Sequence, residues 1–209
     1  MIQRILFLVA FCATATACGG ESLKSQLDTP LEQPPEARED NEYRILFIGD
    51  SITRHGTNAA VREKLGWGHV AGMAASEEAK DYVHLLADKI DARREEEVSI
   101  YFHTAGGGGS VAQRLGSFDH VVAANPDLVV IQLGEHEKQK DGTGQLRRDF
   151  AALIEQARSF PTKPEVICVG PWSPTNETSR SNYNGWAGDV EAVMREVATE
   201  NGVAYVSVR

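Results

Sequence analysis

Short, nearly continuous apolar runs recur along the chain, and a longer stretch of mixed polarity separates each run from the next. A run that is apolar at almost every position is typical of a strand buried on both faces of a parallel sheet. Turn residues, such as Asn125-Pro126-Asp127 and Asn201-Gly202, precede two of the runs. The pattern predicts five strands, over residues 43–48, 98–102, 128–133, 165–169 and 203–208.

The stretches between these strands show the spacing of amphipathic helices. Apolar side chains recur at helical intervals in residues 82–90, and residues 146–160 and 190–200 continue such a pattern. Strands that alternate with helices imply a parallel sheet covered on both faces. We therefore predict a three-layer α/β/α domain with a mostly parallel five-stranded sheet over residues 43–209.

The N-terminal residues have the pattern of an export signal. Arg4 precedes an apolar run that is too short to cross a membrane, and small residues lead from it to Cys18. The stretch Ala15-Thr16-Ala17-Cys18 resembles a bacterial lipobox, although Ala15 stands where leucine is usual. We expect residues 1–18 to be a signal peptide with Cys18 as the lipidation site, and ordinary secretion stays open. Residues 19–42 are rich in proline and acidic residues, which predicts a flexible tether.

The charge balance and the cysteines limit the functions that the chain can have. It has 21 basic and 30 acidic residues and a net charge of -9, without a basic cluster that could follow a phosphate backbone. Nucleic acid is therefore not expected as a partner. Cys12 and Cys18 lie in the predicted signal, so Cys168 is left alone and is expected to be a small buried hydrophobe.

Three unusual stretches follow predicted strands at the edge where open parallel sheets place their sites. In Gly49-Asp50-Ser51 the serine could be a nucleophile, but taken alone it fits a helix N-cap better. Residues 106–109 could aim backbone N–H groups at an oxyanion, form a plain loop or cradle a phosphate, although no phosphate-loop motif is present. His136, between Glu135 and Glu137, could be a base, a ligand or part of a solvated loop.

Together these stretches resemble the SGNH, or GDSL, hydrolases over residues 43–209. The resemblance implies a flavodoxin-like fold and hydrolysis of carboxylic esters through an acyl-Ser51 intermediate, without metal or organic cofactor. It implies an oxyanion hole made by the N–H groups of Ser51 and Gly108, with Gly107 as a near alternative. The family's third donor is an asparagine, and His136 stands at that position. The expected substrate is a small-molecule or carbohydrate ester, such as an acetylated sugar.

The family's catalytic Asp-x-x-His block is expected after the fifth strand, and no such block precedes Arg209. The sequence is then either an incomplete copy of a longer enzyme or a poor esterase, because a serine hydroxyl without a base is a weak nucleophile. His55, His69 and His103 could approach the site, but no orienting carboxylate accompanies them.

Three further residues could bind substrate. Asp50 lies beside the nucleophile position, and Trp67 and Trp172 lie in loops and could stack on a sugar ring or pack beneath those loops. Two rival functions stay open. One is a non-catalytic carbohydrate or ligand binder with the same fold, and the other is a domain that binds a phosphate or nucleotide at residues 106–109.

Overall fold

The computed structural model describes Arg38, residues 41–104, 109–172 and 181–208, without the side chains of residues 120 and 181–184. All five predicted strands are present in it. Their bounds are Glu42–Ile48 (β1), Glu97–His103 (β2), Leu128–Gln132 (β3), Glu165–Val169 (β4) and Ala204–Val206 (β5). Sequence patterning located each strand to within a few residues, and the signal was clearest for β1 and β3, which are buried on both faces.

The strands form one parallel sheet in the order β2-β1-β3-β4-β5. This is the flavodoxin-like order, so the predicted fold class is confirmed. The chain leaves β1 toward β2 on one side and returns to β3 on the other. Ile48 pairs with His103 of β2 and with Ile131 of β3, so the carboxyl ends of these three strands lie together. A crevice is expected at this point of the sheet.

Among the described residues, five α-helices lie between the strands: Ala59–Leu65 (α1), Tyr82–Asp91 (α2), Val111–Gly116 (α3), Gly142–Arg158 (α4) and Ser181–Glu200 (α5). The periodicity predicted α2 and the cores of α4 and α5, both of which begin earlier than predicted. It did not predict α1 or α3. Helix α1 buries none of its residues, and α3 is six residues long, so neither has an apolar stripe that a periodic pattern could reveal.

Two apolar cores lie on opposite faces of the sheet. The larger packs α3, α4 and α5 against residues such as Leu46, Val129 and Ile131, and the smaller packs α2 against Phe47 and Val130. The predicted three layers are therefore present. Cys168 lies in the larger core, fully buried as predicted, and burial raises the pKa of its thiol to about 12.

The domain begins slightly earlier than the sequence predicted. Glu42, assigned to the tether, belongs to β1, and Arg38 forms an ion pair of 2.8 Å with Asp127. The predicted signal peptide, Cys18 and Gly108 lie outside the described residues. Among the described helices, none combines the length and the apolar character that crossing a membrane requires.

Candidate active site

Ser51 lies in a single helical turn that directly follows β1. The Asp50 carbonyl oxygen accepts hydrogen bonds from the N–H groups of Thr53 and Arg54, at 3.1 and 3.0 Å. The Asp50 carboxylate accepts one from the Ile52 N–H at 2.8 Å. The N-cap interpretation of Ser51 is therefore wrong, because the Asp50 side chain caps this turn. The half-buried Ser51 hydroxyl is left for another role.

The backbone around Ser51 is held from two sides. Gly49 donates its N–H to the His103 carbonyl oxygen at 3.1 Å, and Met73 donates to the Ser51 carbonyl oxygen at 2.9 Å. A Cβ atom at Gly49 would lie 1.8 Å from the Thr53 hydroxyl oxygen, so no larger residue fits there. The Ser51 N–H and hydroxyl groups are thus presented from a rigid turn, as a preorganised site requires.

Arg114 is a buried cation that joins three parts of the site, and sequence reasoning missed it. Its Nε donates to the Gly49 carbonyl oxygen and its Nη2 to the Thr104 carbonyl oxygen, both at 2.6 Å. Gly109 has a φ of 134°, and a Cβ there would lie 2.6 Å from Nη2. The guanidinium therefore fixes the ends of β1 and β2 and the end of the glycine-rich segment.

Ser110, at the end of that segment, caps helix α3. Its hydroxyl accepts the Gln113 N–H, and the Gln113 side chain accepts the Ser110 N–H at 2.8 Å, which is a capping box. The next N–H, of Val111, donates to Glu137 at 2.7 Å. Helix α3 is thereby joined to the loop that contains His136.

His136 lies beside the nucleophile turn. Its Nε2 is 3.6 Å from Oδ2 of Asp50, whose side chain is fully buried, while the His136 side chain is 45% exposed. The structure thus brings together the first and third stretches that the sequence singled out. The oxyanion role of His136 stays a prediction, as does that of Gly108.

Glu135 is a buried carboxyl group between the ends of β3 and β4. Its Oε1 accepts hydrogen bonds from Gln132 Nε2 at 2.6 Å and from the Trp172 N–H at 2.5 Å. Burial raises the pKa of this carboxyl well above its usual range, and the nearby Asp50 charge raises it further. Sequence reasoning treated Glu135 as one of two acids beside a histidine, and an acid in a loop gives no signal that it is buried.

The two tryptophans occupy different surroundings. Trp172 lies at the sheet edge that contains the site, and its side chain is 39% exposed. Trp67 packs on His69, with ring centroids 4.0 Å apart, and on His55 at 6.4 Å. Trp67 therefore packs within its own loop, which was the alternative interpretation.

His103 is not placed to act as a general base for Ser51. It is fully buried, and its Nε2 lies 2.7 Å from the Arg114 carbonyl oxygen. A general base must reach the nucleophile or a water molecule next to it. His103 is instead part of the packing at the end of β2.

A cavity of about 330 Å³ adjoins His136 between the N-terminus of α3, the loop after β3 and the start of α4. Its lining combines polar and charged side chains with apolar surface and one aromatic ring; it includes Gln113, His136, Lys138, Gln145, Asp149 and Trp186. In the described part of the chain, no three His, Cys, Asp or Glu side chains are grouped as metal ligands.

The sequence of residues 47–209 matches the GDSL-like lipase/acylhydrolase family. A search of curated proteins found no match. Among solved structures, the lipase/acylhydrolase from Enterococcus faecalis has a TM-score of 0.54 and 22% identity, over 78% of this chain and 75% of that chain. An acetyl xylan esterase from Geobacillus stearothermophilus has a TM-score of 0.51 and 18% identity, over 78% and 75%.

A third solved structure shares the fold. It is a two-domain esterase active on acetylated mannans, with a TM-score of 0.54 and 17% identity, over 79% of this chain and 37% of that chain. At these identities the three likenesses establish the fold, and the match over residues 47–209 establishes the family.

Proposed function

Since the chain belongs to the GDSL-like lipase/acylhydrolase family of ester-hydrolysing enzymes, we propose that Ser51 is its nucleophile. The observation that supports this role is the rigid turn after β1, which Asp50 caps, so that the Ser51 hydroxyl has no capping role. The Asp50 carboxylate in the same turn lies 3.6 Å from the His136 imidazole. A nucleophile and its oxyanion donors must be held in position before the reaction begins.

The reaction proceeds in two steps. The Ser51 hydroxyl oxygen attacks the ester carbonyl carbon, its proton passes to a general base, and the carbonyl oxygen becomes an oxyanion. The N–H groups of Ser51 and Gly108, with His136 as third donor, stabilise that oxyanion. The ester C–O bond then breaks, the alcohol leaves with the proton, and water hydrolyses the acyl-serine to release the acid.

The proposed substrate is an O-acetyl ester of a carbohydrate. The cavity beside His136 supports this class, because amide and charged side chains can bind hydroxyl groups and Trp186 offers an aromatic face. Two of the structural neighbours are esterases of acetylated polysaccharides by name. The acetyl group would lie at Ser51 and the sugar in the cavity.

Replacing Gln145 by alanine should raise KM for an acetylated xylooligosaccharide about fivefold, because one hydrogen bond to the sugar is worth roughly 1 kcal/mol. The effect on a small chromogenic acetate should be smaller, since that ester has no sugar to place in the cavity. The rate of acetate release gives KM for both substrates. Gln156→Ala on the same helix is the control, and equal effects of Gln145→Ala on the two substrates would contradict the proposed sugar site.

We also propose that the protein is exported and lipid-anchored through Cys18, on the lipobox-like stretch before it. A Cys18→Ser variant expressed in bacteria should lose incorporation of radiolabelled palmitate and move from the membrane fraction to the soluble fraction. Labelling of the variant at the level of the original chain would contradict the anchor. Secretion without labelling of either chain would favour an ordinary signal peptide.

A further inference from the structure

Two buried carboxyl oxygens of the candidate active site have no hydrogen-bond donor among the described residues. Oδ2 of Asp50 and Oε2 of Glu135 are both buried, and neither accepts a hydrogen bond from an N–H or O–H group drawn from the described residues. A buried carboxylate oxygen without a donor is costly, and native interiors rarely contain one. The two carboxyl groups are close enough for the Asp50 charge to raise the pKa of Glu135, so a proton shared between them would satisfy both oxygens.

We propose that Glu135 is a positioning residue, which in its protonated form donates a hydrogen bond to Asp50 and thereby holds the Ser51 turn and His136 in place. The pair then carries one negative charge instead of two. The consequence for activity rests on the proposed role of Ser51, whereas the shared proton does not depend on that role.

The contacts of each carboxyl group indicate which one holds the proton. Asp50 accepts an N–H from Ile52 and lies 3.6 Å from the His136 imidazole, and both neighbours favour a charged carboxylate. Glu135 Oε1 accepts two N–H groups, which leaves Oε2 to carry the proton toward Asp50. Burial and the Asp50 charge raise the pKa of Glu135, in agreement with this assignment.

The shared proton completes a chain of hydrogen bonds through the domain. The Tyr82 hydroxyl lies 2.8 Å from the Thr53 hydroxyl, which donates to Gln132 Oε1 at 3.2 Å. The Gln132 amide then donates to Glu135 at 2.6 Å. The chain runs from α2 through the nucleophile turn and β3 to Glu135, and the last bond returns to Asp50. Networks of this kind are rigid when every member is satisfied.

Several titratable groups surround the Asp50–Glu135 pair. Asp50 and His136 face it from the turn after β1 and from its own loop. The Glu135 charge also raises the pKa of Tyr82 on α2 and of Tyr205 on β5. The charge of Glu191 on α5 raises the pKa of Tyr205 as well. Burial raises the pKa of both tyrosines, so they stay protonated while Glu135 titrates.

The pH dependence of stability follows from the direction of the Glu135 shift. An acid with a raised pKa in the folded state binds its proton more tightly there than in the unfolded chain. Its contribution to stability is complete below the ordinary pKa of a glutamate and is lost as the pH rises through the raised pKa. Above that pH, two adjacent carboxylates would repel each other in the floor of the site.

The test compares Glu135→Gln, which keeps a donor toward Asp50 and an acceptor for Trp172, with Glu135→Ala. The original chain should lose activity at alkaline pH, and the glutamine variant should lack that decline while it retains kcat on a chromogenic acetate within about threefold. The alanine variant should lose at least about thirtyfold in kcat with little change in KM. Glu155→Gln, an exposed glutamate on α4, is the control.

Urea unfolding at several pH values tests the shared proton without an activity assay. The free energy of unfolding of the original chain should fall as the pH rises, and that of Glu135→Gln should not fall in the same window. Parallel pH profiles of the two chains would overturn the proposal. A failure of the esterase assignment would instead appear as equal ester hydrolysis by the original chain and Ser51→Ala, with the unfolding result unaffected.

Discussion

Replacing Ser51 by alanine should lower kcat/KM for a chromogenic acetate ester by on the order of 10^4-fold or more. The reason is chemical, since alanine cannot form the acyl intermediate. The turn around position 51 is held by backbone atoms and by Asp50, so the variant should fold like the original chain. The measurement is the initial rate of chromophore release, with urea unfolding to confirm equal stability.

The matched control is Ser159→Ala, at the C-terminus of α4, where the serine hydroxyl donates to the Gln156 carbonyl oxygen. Its rate should equal that of the original chain. The assay is run on residues 1–209 and on the same chain with an added C-terminal Asp-x-x-His block, to compare their rates. Equal hydrolysis by Ser51→Ala and the original chain in both forms would favour the non-catalytic binder.

Replacing Arg114 by methionine should destabilise the domain by about 3 to 5 kcal/mol. The change removes two charge-assisted hydrogen bonds and leaves the carbonyl oxygens of Gly49 and Thr104 buried without these donors. Because Gly49 leads into the nucleophile turn and Gly109 packs on the guanidinium, ester hydrolysis by the folded fraction should also fall. Urea unfolding measures the loss of stability, and initial rates at low temperature measure ester hydrolysis by the folded fraction.

Arg158 offers a matched control for this change. It also donates to a backbone carbonyl oxygen, that of Asn201 at 2.7 Å, but at the surface. Arg158→Met should therefore lower the free energy of unfolding by less than about 1 kcal/mol, since water can replace the arginine as donor to the Asn201 carbonyl oxygen. A similar small cost for Arg114→Met would mean that Arg114 does not hold the ends of β1 and β2.

The strands could be predicted from the sequence, whereas some of the helices could not. A central parallel strand is covered on both faces, so every position of residues 45–48 is apolar and the run is visible by itself. Asn58 and Ser110 cap the N-termini of helices α1 and α3, and their side chains accept hydrogen bonds from backbone N–H groups. Caps of this kind occur in turns as well as helices, so the cap residues alone did not identify either helix.

The residues of the candidate site also fall into two groups, those that the sequence could identify and those that it could not. Ser51 and His136 were identifiable because each follows a strand, and parallel strands end at one edge of the sheet. Arg114 and Glu135 were not identifiable as site residues. Arginine and glutamate are among the most common exposed residues, and their burial depends on partners that are distant in sequence. Arg114 lies 65 residues from Gly49, whose carbonyl oxygen it binds.

By itself, the sequence determined the alternation of strands and helices, the burial of Cys168 and the family resemblance of the Gly49-Asp50-Ser51 turn. These features depend on local composition and order, which a single chain displays directly. Only the tertiary structure decided that Asp50 rather than Ser51 caps that turn, and that Asp50 lies between His136 and a second carboxyl group. The protonation of a buried carboxyl is set by the groups that surround it, and folding alone brings those groups together.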